Sequence, residues 1–163
     1  MELLATNQPW NLILFMAIPV ILAEAVAITE LYLLVTKRTE GPWKAVNRYA
    51  GIVGGLYFIG VFFYLLMTAA LPITSAGEWR GVADVIAVGA YLLGVVPLAG
   101  IALLELGIIA RTRDTYGKTV LHAQLVGVFL VVAHVAMIFG MLDPQMLGWT
   151  ADNSMTSMEG MVH

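Results

Sequence analysis

Met155, Met158 and Met161 recur at a spacing of three in a polar C-terminal stretch, and His163 follows them. Methionines in a polar tail have no core to fill, and thioether sulfur is a soft ligand that selects copper(I) where thiolate is absent. Thiolate is absent here, because the chain has no cysteine. That also excludes disulfides, iron–sulfur clusters and thiol catalysis. A second set of reactive side chains lies in apolar surroundings: Glu24, Glu30, Asp84, Glu105, His122 and His134. Carboxylate suits hard ions, imidazole suits zinc, copper and iron, and both relay protons.

Such groups need a scaffold that can hold them away from water. The chain has 163 residues, 60% of them hydrophobic and only 12% charged. Soluble domains run near 45–50% apolar and about 25% charged, so an integral membrane protein is expected. Four nearly uncharged runs, over residues 11–35, 49–73, 82–110 and 119–142, each reach the roughly 20 residues that a membrane-crossing helix needs. No short alternating segments of the kind a closed barrel requires are visible. The expected fold is therefore an all-α bundle of four transmembrane helices over residues 1–142, followed by an outer methionine-rich tail, 143–163. The first run lacks a basic leader and contains two carboxylates, so it is expected to stay as helix one rather than be removed as a signal peptide.

The basic residues give the bundle a direction. Lys37, Arg38, Lys44 and Arg48 follow the first run, and Arg111, Arg113 and Lys118 follow the third; Arg80 alone lies on the other side. Positive-inside bias then places both termini outside the cytoplasm. Short loops and small size suggest a bacterial inner membrane. The net charge of −3 and the lack of a basic block argue against nucleic acid as a partner. The lipid bilayer is the expected surrounding, with a homo-oligomer or a larger membrane complex as partner.

A helical rise of about 1.5 Å per residue arranges the ionisable groups in layers. Glu30 and Glu105 fall about 8 Å from the cytoplasmic ends of their helices, and His122 about 5 Å. Glu24 and His134 fall at about 18 and 22 Å, a second level. Asp84 and Asp143 make a third near the outer surface. The inner level reads either as a proton or ion station or as ordinary interface anchors paired with Arg38, Arg111 or Arg113. A carboxylate as deep as Glu24 is functional by default, because charge in hydrocarbon is costly. Pro19 and Pro97 are expected to kink helices one and three. Gly51 and Gly55 form a small-xxx-small pair suited to close helix contact, read as packing within the bundle ahead of a dimer seam.

The tail from Met155 to His163 resembles the extracellular methionine motifs of high-affinity copper transporters and periplasmic copper-handling proteins. Those transporters have three spans and a Met-xxx-Met pair in the second, whereas this chain has four spans and only Met67 in its second, so the resemblance is confined to nine tail residues. It implies copper(I) capture by Met155, Met158, Met161 and His163. The leading expectation is a small polytopic protein that handles or transports copper(I), with His134 and Glu24 as an intramembrane station and Glu30, Glu105 and His122 as an inner one. A rival is an accessory subunit of a membrane redox complex holding quinone or haem b. His122 and His134 share one helix about 18 Å apart, so haem would need a ligand from another chain. A third reading is a proton-coupled permease acting through Glu24. Catalysis by the isolated chain is not expected.

Overall fold

The structure, a computed structural model, describes residues 7, 9–38 and 40–142. The described residues form an all-helical bundle with four helices long and apolar enough to span a membrane: α1 (Trp10–Thr36), α2 (Pro42–Ala76), α3 (Val82–Glu105) and α4 (Thr115–Met141). α2 packs against both α1 and α3. α4 packs against α3 along its length and touches α1 more sparingly. The methionines of the tail and Asp143 lie outside the described residues.

Local chemistry sets the ends of the helices. Lys37 takes the left-handed conformation that closes α1, and the Arg38 amide returns to the Leu33 carbonyl at 3.2 Å. Gly41, at φ 111°, turns the chain into Pro42, which opens α2 at a position where a missing N–H does no harm. Asp114 caps α4 by accepting the Gly117 amide at 3.1 Å. α2 thus starts well before the expected Tyr49 and carries Lys44, Asn47 and Arg48 as helical residues. α3 ends at Glu105, short of the expected residue 110.

Each proline inside a span leaves a mark just before it. Residues Ile13–Ala17 of α1 form a π-helical turn, with the Ile18 amide bonded to the Ile13 carbonyl. Leu14 and Phe15 are the residues whose carbonyls a nitrogen at position 19 would serve in the π and α registers, and Pro19 has no hydrogen to give. Two tyrosines from neighbouring helices supply it: Tyr57 donates to the Leu14 carbonyl at 2.8 Å and Tyr91 to the Phe15 carbonyl at 2.7 Å. α2 has a matching π turn, Leu66–Ala70, ahead of Pro72, an irregularity that reading the sequence did not foresee. α3 breaks at Gly94, three residues before Pro97.

The centre of the bundle is apolar. Ala23 and Val26 of α1, Phe58 of α2, Leu98 and Ile101 of α3, and Val126 and Phe129 of α4 form one buried cluster. Phe58 lies 5.2 Å from Tyr91 and 6.1 Å, edge-on, from Phe129 between ring centroids, separations at which aromatic pairs attract. A Cβ at Gly94 would come within 3.3 Å of Phe129 and 3.4 Å of Phe58, so the break in α3 is also where these two rings crowd the backbone. Gly55 lets α2 meet α3 closely, since a Cβ there would stand 2.5 Å from the Leu98 carbonyl oxygen and 2.6 Å from the Ala102 Cβ. The small-residue pair is therefore used for packing within the bundle.

Candidate functional site

Below that apolar layer, at the end bearing most of the basic residues, all four helices contribute to one polar cluster. α1 supplies Thr29 and Glu30, α2 supplies Lys44, Asn47 and Arg48, α3 supplies Glu105, and α4 supplies His122. Asn47, His122 and Glu30 are buried, at 0%, 1% and 3% exposure. Polar groups so deeply enclosed need partners, and most of them face one another.

His122 is the hub. Its Nδ1 lies 2.8 Å from Glu30 Oε2 and its Nε2 lies 3.5 Å from Glu105 Oε1. Neither approach is aligned as a hydrogen bond, although both are within ion-pair distance. On the far side of the same Glu105 oxygen stands Lys44 Nζ, at 3.1 Å, and Arg48 Nε reaches the second Glu105 oxygen at 4.0 Å. Asn47 fixes Glu30 from α2, its amide donating to Glu30 Oε2 at 3.1 Å, Thr29 Oγ1 at 3.0 Å and the Val26 carbonyl at 3.2 Å. Thr29 in turn donates to the Ala25 carbonyl at 2.6 Å.

Space for the imidazole comes from Gly51. A Cβ there would stand 3.6 Å from His122 Nε2, 3.9 Å from Glu105 Cγ and 2.8 Å from Ile101 Cγ2. One helix turn further along α2 comes Gly55, so a single small-residue seam both seats α2 on α3 and makes room for the cluster.

Four buried atoms of the cluster have no hydrogen-bond partner among the described residues: Glu30 Oε1, Asn47 Oδ1 and both ring nitrogens of His122. A neutral imidazole donates from one ring nitrogen only, whereas imidazolium donates from both, so an added proton on His122 would present an N–H to each of the two carboxylates that face it. A divalent ion is less well served, because the Lys44 ammonium already holds Glu105. Among the described residues no group of three or more His, Cys, Asp or Glu side chains is arranged to hold a metal ion.

The structure thus brings Glu30, Glu105 and His122 together. Glu105 pairs with Lys44 and Arg48 of α2 rather than with an arginine beyond helix three. Asn47, which is central to the cluster, went unnoticed in the sequence because it sat in a stretch read as a loop.

Glu24 and His134 are placed differently. Both are exposed on the outer surface of the bundle, on α1 and α4 respectively. The contact of His122 with Glu30 fixes the register of the two helices. From that contact Glu24 stands about 9 Å away along α1 and His134 about 18 Å along α4, so their Cα atoms do not share a level. His134 Nδ1 lies 2.6 Å from the Leu130 carbonyl. A carbonyl only accepts, so Nδ1 carries the hydrogen and Nε2 is left for another partner. Asp84 lies in the first turn of α3; its expected companion Asp143 and the expected ligands Met155, Met158, Met161 and His163 are outside the described residues.

Fold and cluster together define a small all-helical protein with four helices long and apolar enough to span a membrane, and with a buried polar network at one end. By sequence the chain belongs to the family of unknown function DUF6803, whose model matches residues 1–156. No curated protein and no solved structure matches it.

Proposed function

We propose that this protein is a proton-coupled membrane protein of the permease class, in which the exchanged proton resides on the His122 cluster rather than on Glu24. The observation that carries this reading is the buried imidazole between two carboxylates, beside acceptors that have no donor. Lys44 is half-buried and Arg48 exposed, so the Glu105 side of the cluster faces the basic end, cytoplasmic by the positive-inside rule. Beyond Glu30 the apolar layer of Val26, Phe58, Ile101 and Phe129 separates the cluster from the opposite side. In this arrangement the station is therefore open toward the basic end alone. A proton reaching Glu105 passes to His122 Nε2; the Nδ1 proton then passes to Glu30.

Nitrogen-15 NMR of the full-length protein in nanodiscs tests this, since only three histidines need be assigned. The ring nitrogens of His122 should report which of them carries a proton, and their signals should change when Glu30→Gln, Glu105→Gln or Lys44→Met removes a neighbour. Ring signals identical in the parent protein and in all three variants would sink the reading.

Copper(I) handling is a second reading, favoured by the spacing of Met155, Met158, Met161 and His163 and by the softness of thioether sulfur. It assigns capture to the tail. Competition against a copper(I) chelator should find metal bound by the full chain and lost on truncation after Leu142; equal binding by both would remove the tail from the account. For a haem-holding subunit of a redox complex, His122 is poorly suited because both ring nitrogens face carboxylates. That reading is left with His134 and a ligand from another chain.

A further inference from the structure

Asn47 is the most enclosed side chain of the cluster, and its neighbours settle which way its amide points. Nδ2 faces the Val26 carbonyl, Thr29 Oγ1 and Glu30 Oε2. A carbonyl can only accept. The single hydroxyl hydrogen of Thr29 is directed at the helix carbonyls of Ala25 and Val26, at 2.6 and 3.1 Å, so toward Asn47 this oxygen also accepts. The amide nitrogen must therefore face this side, and Oδ1 must point elsewhere.

Where Oδ1 points there is no donor. It is buried without a hydrogen-bond partner among the described residues, and so is Oε1 of Glu30, the carboxyl to which the same amide is bonded. The hydrogens of the cluster are committed to other atoms. Those of Asn47 serve the three acceptors above, and that of Thr29 returns to α1. His122 is the titratable group that faces Glu30, and its ring nitrogens are turned to Glu30 Oε2 and Glu105 Oε1. Lys44 and Arg48 lie beyond the ring, on Glu105. Two buried acceptors on joined groups are costly while they stay unserved.

One hydrogen removes both deficits. On Glu30 Oε1 it converts an acceptor that lacks a donor into a donor, and Asn47 Oδ1 is an acceptor that lacks one. The Nδ2 bond to Oε2 is already in place. The two planar groups then close a ring of two hydrogen bonds, amide N–H to carboxyl oxygen and carboxyl O–H to amide oxygen. We propose that Glu30 Oε1 is the atom on which the cluster stores its proton, and that Asn47 is the positioning residue that holds it there through Oδ1. Storage there rests on the proton relay through His122 and supplies its end point.

One motion completes the path. A proton leaving His122 Nδ1 bonds to the Glu30 oxygen that it faces, and the electron pair of the N–H bond stays on nitrogen. A half-turn of the carboxyl about its last bond, a torsion with a broad twofold preference, exchanges the two oxygens. The new O–H is thereby turned from His122 to Asn47.

Infrared spectroscopy of the full-length protein in nanodiscs tests this, because a protonated carboxyl has a carbonyl stretch that an ionised one lacks. On acidification a band should appear that is missing from Glu30→Gln. In Asn47→Leu it should move to higher frequency, since the carboxyl loses both bonds to the amide. Labelled asparagine side-chain carbonyls give a second readout in the unaltered protein, where only four asparagines need be told apart. The carbon-13 signal of Asn47 should shift in step with the growth of the Glu30 band. A Glu30 band unmoved by Asn47→Leu, or an Asn47 signal indifferent to that band, would overturn the role of Asn47. No band assignable to Glu30, with His122 ring signals that still respond to Glu30→Gln and Glu105→Gln, would overturn storage on Glu30 and leave the relay standing. Ring signals that respond to neither would bring down the relay and the storage site together.

Discussion

His122 Nδ1 and Glu30 Oε2 stand 2.8 Å apart in the interior of a membrane bundle, joining the fourth helix to the first. This contact ties together helices that otherwise touch sparingly. It also leaves a buried carboxylate and a buried imidazole dependent on one another. Removing one partner of a buried pair costs about 3–5 kcal/mol because the survivor is stranded, whereas replacing both with apolar groups is often neutral. Glu30→Leu and His122→Leu should each destabilise the protein on that scale. The double variant should recover much of the loss in unfolding measurements in mixed micelles; additive losses would mean that the two residues act independently.

The second carboxylate gives a graded comparison. Lys44 is half-buried and 3.1 Å from Glu105, whereas Arg48 is exposed and 4.0 Å away. Exposed pairs are worth about 0–1 kcal/mol. Arg48→Met should stay inside that range, and Lys44→Met should exceed it while remaining below the loss for His122→Leu. The same unfolding assay checks the order.

Glycines along α2 should separate by what they face. Gly55→Ala drives a methyl into the Leu98 carbonyl oxygen at 2.5 Å, backbone that cannot swing aside, and overpacking of this kind costs about 1–3 kcal/mol. At Gly51 the first obstacle is the Ile101 side chain at 2.8 Å, so Gly51→Ala should be milder and be relieved by Ile101→Ala. Gly60→Ala, with nothing within 4 Å, should leave the monomer as stable as before. Thermal denaturation of the three variants tests the ranking.

Tyr91 and Tyr57 compensate for a proline on a different helix. Tyr91→Phe removes the donor to the Phe15 carbonyl, and an unsatisfied buried acceptor costs about 1–3 kcal/mol. Pro19→Ala restores a backbone N–H to α1, so the hydroxyl should matter less in that background. Measured as a double-mutant cycle, Tyr91→Phe should lose at least half of its effect when combined with Pro19→Ala. An effect independent of residue 19 would separate the tyrosine from the proline.

Much of this was open to sequence reasoning and some of it was not. Four spans announce themselves by length and lack of charge, and the four helices follow. Counting residues along each span placed Glu30, Glu105 and His122 on one level, and in the structure they touch. The same counting put Glu24 and His134 on a common level, because it measured each from the assumed edge of its own helix. The helices do not share edges: α4 starts at Thr115, four residues before the expected Thr119, and only a contact between helices fixes their register. Lys44, Asn47 and Arg48 were read as loop since charge usually marks the end of a span. Here α2 continues through them, and Asn47 is fully enclosed. The π turns were hidden for another reason. A proline predicts lost backbone donation, but that the loss in α1 is met at Leu14 and Phe15 depends on the hydroxyls that α2 and α3 carry at that height.

The apolar layer around Phe58 and Phe129 has an electrical consequence. A membrane potential falls mainly across the least polarisable part of a protein. The basic end, with Lys44, Arg48, Glu105 and His122, is far more polarisable than the packed hydrocarbon above it. Moving one charge through the full field at 100 mV is worth about 2.3 kcal/mol. A proton that travels only from the basic end to His122 crosses little of that drop. Loading the cluster would then follow the pH of its own compartment with little bias from voltage, and the electrical work would be reserved for whatever carries charge past the aromatic rings.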